Sequence, residues 1–178
     1  MIRPFQKILE PDDRFRAFVR FDDQTPMTLE DHYESMAPLE LRATVPKSVS
    51  MMFDRARAAY LYAWFAYELT TLAQYQACAT VEVVLREKLE ARYQGKSFKH
   101  LNGCLEKAIA DGDLSAFRLR PGERIYTLDD LNALKDLLVH VRNLVAHGSE
   151  MVAMPTQALI VLEPCARLID HCYGCRLP

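Results

Sequence analysis

No strong charge of either sign marks this chain: 22 Lys and Arg stand against 24 Asp and Glu in 178 residues, a formal net charge of −2. That balance excludes a strongly basic nucleic-acid coat and a polybasic membrane binder, while leaving room for a local basic site. The 5 cysteines are an odd number at irregular spacing, so a complete pairwise disulfide framework is excluded. Met1–Glu10 is charged and has no apolar core of the kind a secretory leader needs, and the expectation is reduced thiols in the cytoplasm. No run of about 18 uncharged apolar residues exists. The most apolar stretch, Ala58–Leu85, is interrupted by Glu68, Gln74, Gln76 and Glu82, and it reads as a buried helix with no membrane span. Walker, Rossmann, GxSxG and HExxH patterns are all missing, so hydrolases and dehydrogenases built on them are not supported, and no cofactor is expected. Nothing repeats at a fixed period.

Helix-forming sequence is what the chain does have. From Lys47 to Gln94 there is neither Pro nor Gly, and Ala, Leu, Glu, Arg and Met are plentiful. One helix of that length would span about 70 Å. Two helices, or one with a bend, are therefore expected, with the weak point at Glu68–Leu72, where Thr70 and Thr71 adjoin. Ser97–Ala110 reads as a further helix stopped by Asp111-Gly112-Asp113. Leu114–Glu123 reads as a loop turning at Pro121-Gly122. Thr127 with Asp129 and Asp130 opens a helix to about Ala146, with Gly148 as its stop. Pro155 suits the first turn of a last helix, Thr156–Tyr173. The expected fold is all-α: a bundle of four to five helices over residues 47–178.

Residues 1–46 differ. Pro4, Pro11, Pro26 and Pro46 punctuate them, and acidic pairs stand at Asp12-Asp13 and Asp22-Asp23. They read as an irregular extension wrapped on the body, with a strand at Arg14–Phe21 and a short helix capped by Thr28 as candidate elements.

The informative stretch is His140-Val-Arg142-Asn143-Leu-Val-Ala-His147-Gly148. At 100° per residue, Leu131, Leu134, Leu138, Val141 and Val145 share one apolar arc, the expected core face. Asp136, His140, Asn143 and His147 share the opposite, polar face. Arg142 sits on the flank, where an arginine buries its stem and needs a carboxylate or phosphate for its head. His147 points about 140° away from Arg142 in an ideal helix, so the two meet on one ligand only if the helix end unwinds or a second copy contributes its own pair. Glu82 is an acid amid Tyr75, Cys78, Ala79, Leu85 and Leu89. A buried carboxylate needs a partner, and Arg142 is the best candidate. Glu68 joins the same face if that helix is continuous.

The string Arg142-Asn143-Leu-Val-Ala-His147 resembles the Arg-polar-x-x-x-His motif of the HEPN (higher eukaryotes and prokaryotes nucleotide-binding) superfamily. Ala58–Leu89, with Glu82 before Leu85-Arg86, is similar to the paired central helices of its bacterial members. The resemblance covers roughly residues 50–173. It implies an up-and-down helical bundle that dimerises so that two motifs face one cleft, with no metal. In active members that pair is a metal-independent ribonuclease site. By analogy, His147 would move the proton of the 2′-hydroxyl or of the leaving oxygen, as befits a side chain that ordinarily titrates near neutrality. Arg142 would hold the phosphate, Asn143 would orient either group, and Glu82 would anchor Arg142. His140, on the same stripe, is a candidate second base.

Two functions stay open: an RNA-cleaving toxin or defence factor with an antitoxin partner, or a non-catalytic dimerisation module that binds a protein or nucleotide. Two further groupings have plainer readings. Cys165, His171, Cys172 and Cys175 offer metal-type groups, but all lie within one short stretch, whereas a structural zinc site draws on two separated pairs; ordinary thiols are expected. Tyr60, Tyr62, Trp64, Phe65, Tyr67 and Tyr75 form an aromatic belt. It suits a helix buried on several sides better than a base-stacking platform.

Overall fold

The structure is a computed structural model, and it describes residues 3–20, 22–148 and 150–174. Six α-helices form among the described residues: α1 Leu29–Met36, α2 Lys47–Tyr62, α3 Leu69–Arg92, α4 Leu101–Ala110, α5 Leu128–Ala146 and α6 Pro155–Gly174. The all-α expectation holds, and α2–α6 all lie beyond residue 46.

Local chemistry sets several helix starts. Thr28 caps α1 and Thr127 caps α5, each in a reciprocal box with the acid three residues on, Asp31 or Asp130. The Met154 backbone N–H donates to Gln157 Oε1 at 3.0 Å, which gives α6 half of the same device. Gly112, Gly122 and Gly148 all take positive φ where the chain turns. Helix α4 starts at Leu101, later than Ser97. Pro164 lies inside α6. It has no N–H to give the carbonyl of Ile160 one turn back, so the ladder is interrupted there.

The long helical region breaks at residues 63–68, just before the expected point, and Thr70 and Thr71 fall inside the first turn of α3. Tertiary contacts decide this. Trp64 and Tyr67 are buried against Phe15, with ring centroids 4.8 and 5.4 Å from it, and His32 stacks on Tyr60 at 4.3 Å. The threonines are used elsewhere. Thr70 Oγ1 donates to the Ala153 carbonyl at 2.7 Å, and the Ala153 N–H donates to Thr71 Oγ1 at 3.0 Å. The aromatic belt is therefore split across the break. Trp64 and Tyr67 are covered by the first residues of the chain, while Tyr62 stays exposed.

α3 is the central helix, packed by α2, α4, α5 and α6. Gln74 Nε2 donates to the Gln157 carbonyl near the start of both α3 and α6, and Lys88 lies over the Tyr173 ring near their ends. α6 therefore runs parallel to α3, and the helices do not simply alternate up and down. The cause is the segment 111–126, which crosses the C-terminal end of α6 before α5 begins. There Phe117 is fully buried, and His171 Nε2 bonds the Asp113 carbonyl at 2.8 Å.

The first 46 residues enter the packing. Met36, Leu39 and Val45 belong to the main core, and Phe15 centres a second cluster with Trp64 and Tyr67. No strand forms over the described part of Arg14–Phe21, residues 14–20. Asp13–Ala17 is a 3₁₀ turn, because the Asp12 side chain caps the Arg14 N–H, and only an isolated bridge from Val19 to Pro26 follows. Phe21 lies outside the described residues. No helix among the described residues is long and apolar enough to cross a membrane.

Candidate functional site

The last two turns of α5 carry the motif. α5 remains helical to Ala146, and His147 is its C-cap, its N–H bonded to the Asn143 carbonyl at 3.0 Å. No unwinding precedes His147. Arg142 and His147 therefore stay on different sides of the helix, about 140° apart by helical period.

Arg142 meets the carboxylate expected for it. Its Nε lies 3.4 Å from Glu82 Oε2, and Arg86 approaches Glu82 Oε1 at 3.8 Å. Glu82 is buried among the residues of its apolar face, and only 11% of its side chain reaches solvent against 27% for Arg142. Burying a carboxylate is costly unless cations and donors surround it, and these two arginines supply the charge. The closest approach is through Nε, and among the described residues the Arg142 side chain makes this ion pair and no hydrogen bond.

Asn143, His147 and His140 are exposed, and their side chains have no polar partner among the described residues. The structure thus brings Arg142 and Glu82 together and leaves Asn143 and His147 free at the helix end, with His140 two turns earlier on the same side. Glu68 does not share the Glu82 face. It precedes α3, is exposed, and accepts a hydrogen bond from Arg14 at 2.6 Å.

One surface was not visible in the sequence. Val141 and Val145, expected in the core, are only half-buried, because α5 runs on past the packed interior. With Leu144, Met151, Val152 and Ile160 they line an apolar groove of about 300 Å³ where α3, α5 and α6 meet. Met151 is 72% and Ile160 59% exposed. The signal available was the uncharged, apolar run Met151–Met154.

The cysteine group behaves as packing. Cys165 and Cys172 are buried, and burial, reinforced by the adjacent Cys78, pushes the Cys165 thiol well above its ordinary range. His171 is tied to the Asp113 carbonyl, and Cys175 lies outside the described residues. Among the described residues no cluster of His, Cys, Asp or Glu is arranged to hold a metal ion.

Compared with protein-family models, with curated proteins and with solved structures, the chain matches none.

Proposed function

We propose that this chain is a HEPN-like helical protein in which Arg142, Asn143 and His147, joined by the same residues of a second copy, form a metal-independent endoribonuclease site. The observation that carries the reading is the Arg142 guanidinium, paired with Glu82 by charge with no hydrogen bond between them, so that its N–H donors remain for a phosphate.

The divergence of Arg142 and His147 supports a site shared with a second copy. They point to different sides of one helix, so in this reading one copy's arginine works with the other's histidine. The groove of Leu144, Val145, Met151 and Ile160 borders the motif, and it is the apolar surface that a second copy covers. In the reaction, His147 accepts the 2′-hydroxyl proton and the 2′-oxygen attacks phosphorus. The 5′-oxygen leaves with a proton supplied by the partner's His147, giving a 2′,3′-cyclic phosphate and a 5′-hydroxyl. Arg142 stabilises the charge that develops on the phosphoryl oxygens. Asn143 orients the histidine or the phosphate, and His140 serves as a reserve base. A cytoplasmic toxin or defence role, restrained by an antitoxin protein, fits this chemistry.

A specific observation favours a second reading. Glu82 already neutralises Arg142, as it would in a non-catalytic dimerisation module that binds a protein or nucleotide. RNA cleavage in EDTA by wild type, Arg142→Ala and His147→Ala separates the two. The ribonuclease reading expects cleavage by wild type alone, with 2′,3′-cyclic phosphate ends. Equal traces from all three proteins would sink it.

A further inference from the structure

We infer that a second site, a crevice at the C-terminal end of α6, binds a diphosphate group. The inference does not rest on the ribonuclease reading. The crevice is built from Arg42 ahead of α2, Arg118 and Arg120 in the crossing segment, and Arg167, Asp170 and His171 on α6, and it encloses about 370 Å³. These residues are far apart in sequence and meet only in the fold.

Charge is the first argument. Arg120 is taken by Glu163, through a bidentate pair at 2.7 and 2.9 Å. Arg42 and Arg167 share one carboxylate, that of Asp170, each at 3.8 Å. Arg118 is exposed and has no ion pair or hydrogen bond among the described residues. Among the described residues four guanidiniums thus face three carboxylates, those of Asp170, Glu163 and Glu123, the last acting on Arg120 from the same turn, which leaves an excess of one positive charge. The C-terminal end of α6 opposes an anion, but its dipole amounts to only about half an elementary charge. The arginines win.

Preorganisation is the second argument. Asp170 is 3% exposed, and one of its oxygens accepts the Arg42 backbone N–H at 2.9 Å, so the shared carboxylate is locked in place. Arg167 is held on its other side by the Pro38 carbonyl at 3.3 Å, and its Nε is buried with no hydrogen-bond partner. Asp170 and Arg167 are therefore positioned before any ligand arrives, while the exposed Arg42 head is drawn toward the same carboxylate by charge. Planar guanidinium forks match phosphate oxygens, and several forks around one crevice match two linked phosphates better than one.

Calorimetric titration of the full chain with inorganic pyrophosphate, at constant ionic strength, tests this. Arg118→Gln and Arg42→Gln should each weaken binding about tenfold, the worth of one charge-assisted hydrogen-bond set. Arg55→Gln, which removes an exposed arginine of α2 from another surface, should change it less than about twofold, as a bulk-charge control. ADP titrated in parallel identifies the source. Affinity equal to that of pyrophosphate means that the diphosphate alone is read, and tighter binding means that the carrier is read too. Absence of pyrophosphate binding by wild type, or equal weakening by Arg55→Gln, would overturn the inference.

Discussion

Arg142 Nε and Glu82 Oε2 stand 3.4 Å apart across the α3–α5 seam, and Arg86 faces the other oxygen of the same carboxylate. The triad is lopsided, with one buried acid serving two partly solvated bases. Removing the acid and removing a base should therefore differ.

Glu82→Ala leaves two cations at a seam without their counter-ion. Truncating one member of a fully buried pair typically costs 3–5 kcal/mol, and the solvent access of both arginines reduces the expected loss to about 1–3 kcal/mol. Arg142→Ala leaves Arg86 to neutralise Glu82 and should cost less than Glu82→Ala. Urea denaturation of both single variants and the double variant measures the coupling, expected at about 1 kcal/mol. Strict additivity would show that the pair stabilises nothing.

The first 46 residues should be indispensable for folding. Phe15, Met36, Leu39 and Val45 are all buried. At roughly 1.5–3 kcal/mol for each apolar side chain, they represent about 6–12 kcal/mol, comparable to the whole stability of an ordinary domain. A chain starting at Lys47 should lose its cooperative thermal transition in circular dichroism. A sharp melt close to that of the full chain would contradict this.

What could be read in advance was whatever local chemistry decides. The capping boxes at Thr28 and Thr127 follow from residues three apart. The Glu82–Arg142 pair followed from helical phase, because Glu82 was the misfit on its apolar face and Arg142 sat on the flank of its own. The break between α2 and α3 was misplaced because the Thr70-Thr71 doublet looked weak locally. Phe15, some fifty residues away, sets the real position by packing on Trp64 and Tyr67. The parallel course of α3 and α6, the apolar groove and the arginine crevice depend on how long connections cross, and no periodicity encodes that.

The buried thiols of α3, α4 and α6 should be chemically silent. Cys78 and Cys165 are completely buried, and burial holds Cys104 at about 11 and Cys165 well above its ordinary range. The thiolate is the species that reacts. Iodoacetamide at pH 8 should leave these three unmodified in the native protein and label them in urea, read by peptide mass spectrometry. Native labelling of Cys165 at the denatured rate would refute the packing.

His32 should make the protein acid-sensitive. It is fully buried between Phe15 and Tyr60. Its Nε2 lies 2.8 Å from the Tyr60 carbonyl and must carry the proton, while Nδ1 has no partner. Burial lowers its pKa, opposed in part by the Tyr60 bond. The unfolded imidazole titrates near 6.5, so below that pH the unfolded chain binds the proton more readily than the folded one. The stability tied to neutral His32 is complete above about pH 6.5, and it is lost as pH falls from there through the lower folded value. His32→Gln keeps a donor for the Tyr60 carbonyl and cannot ionise. Between pH 7.5 and 5.5 the urea midpoint of wild type should fall further than that of His32→Gln. All other titratable groups are common to both proteins, so the difference in slope belongs to His32, and parallel slopes would show that its burial carries no proton linkage.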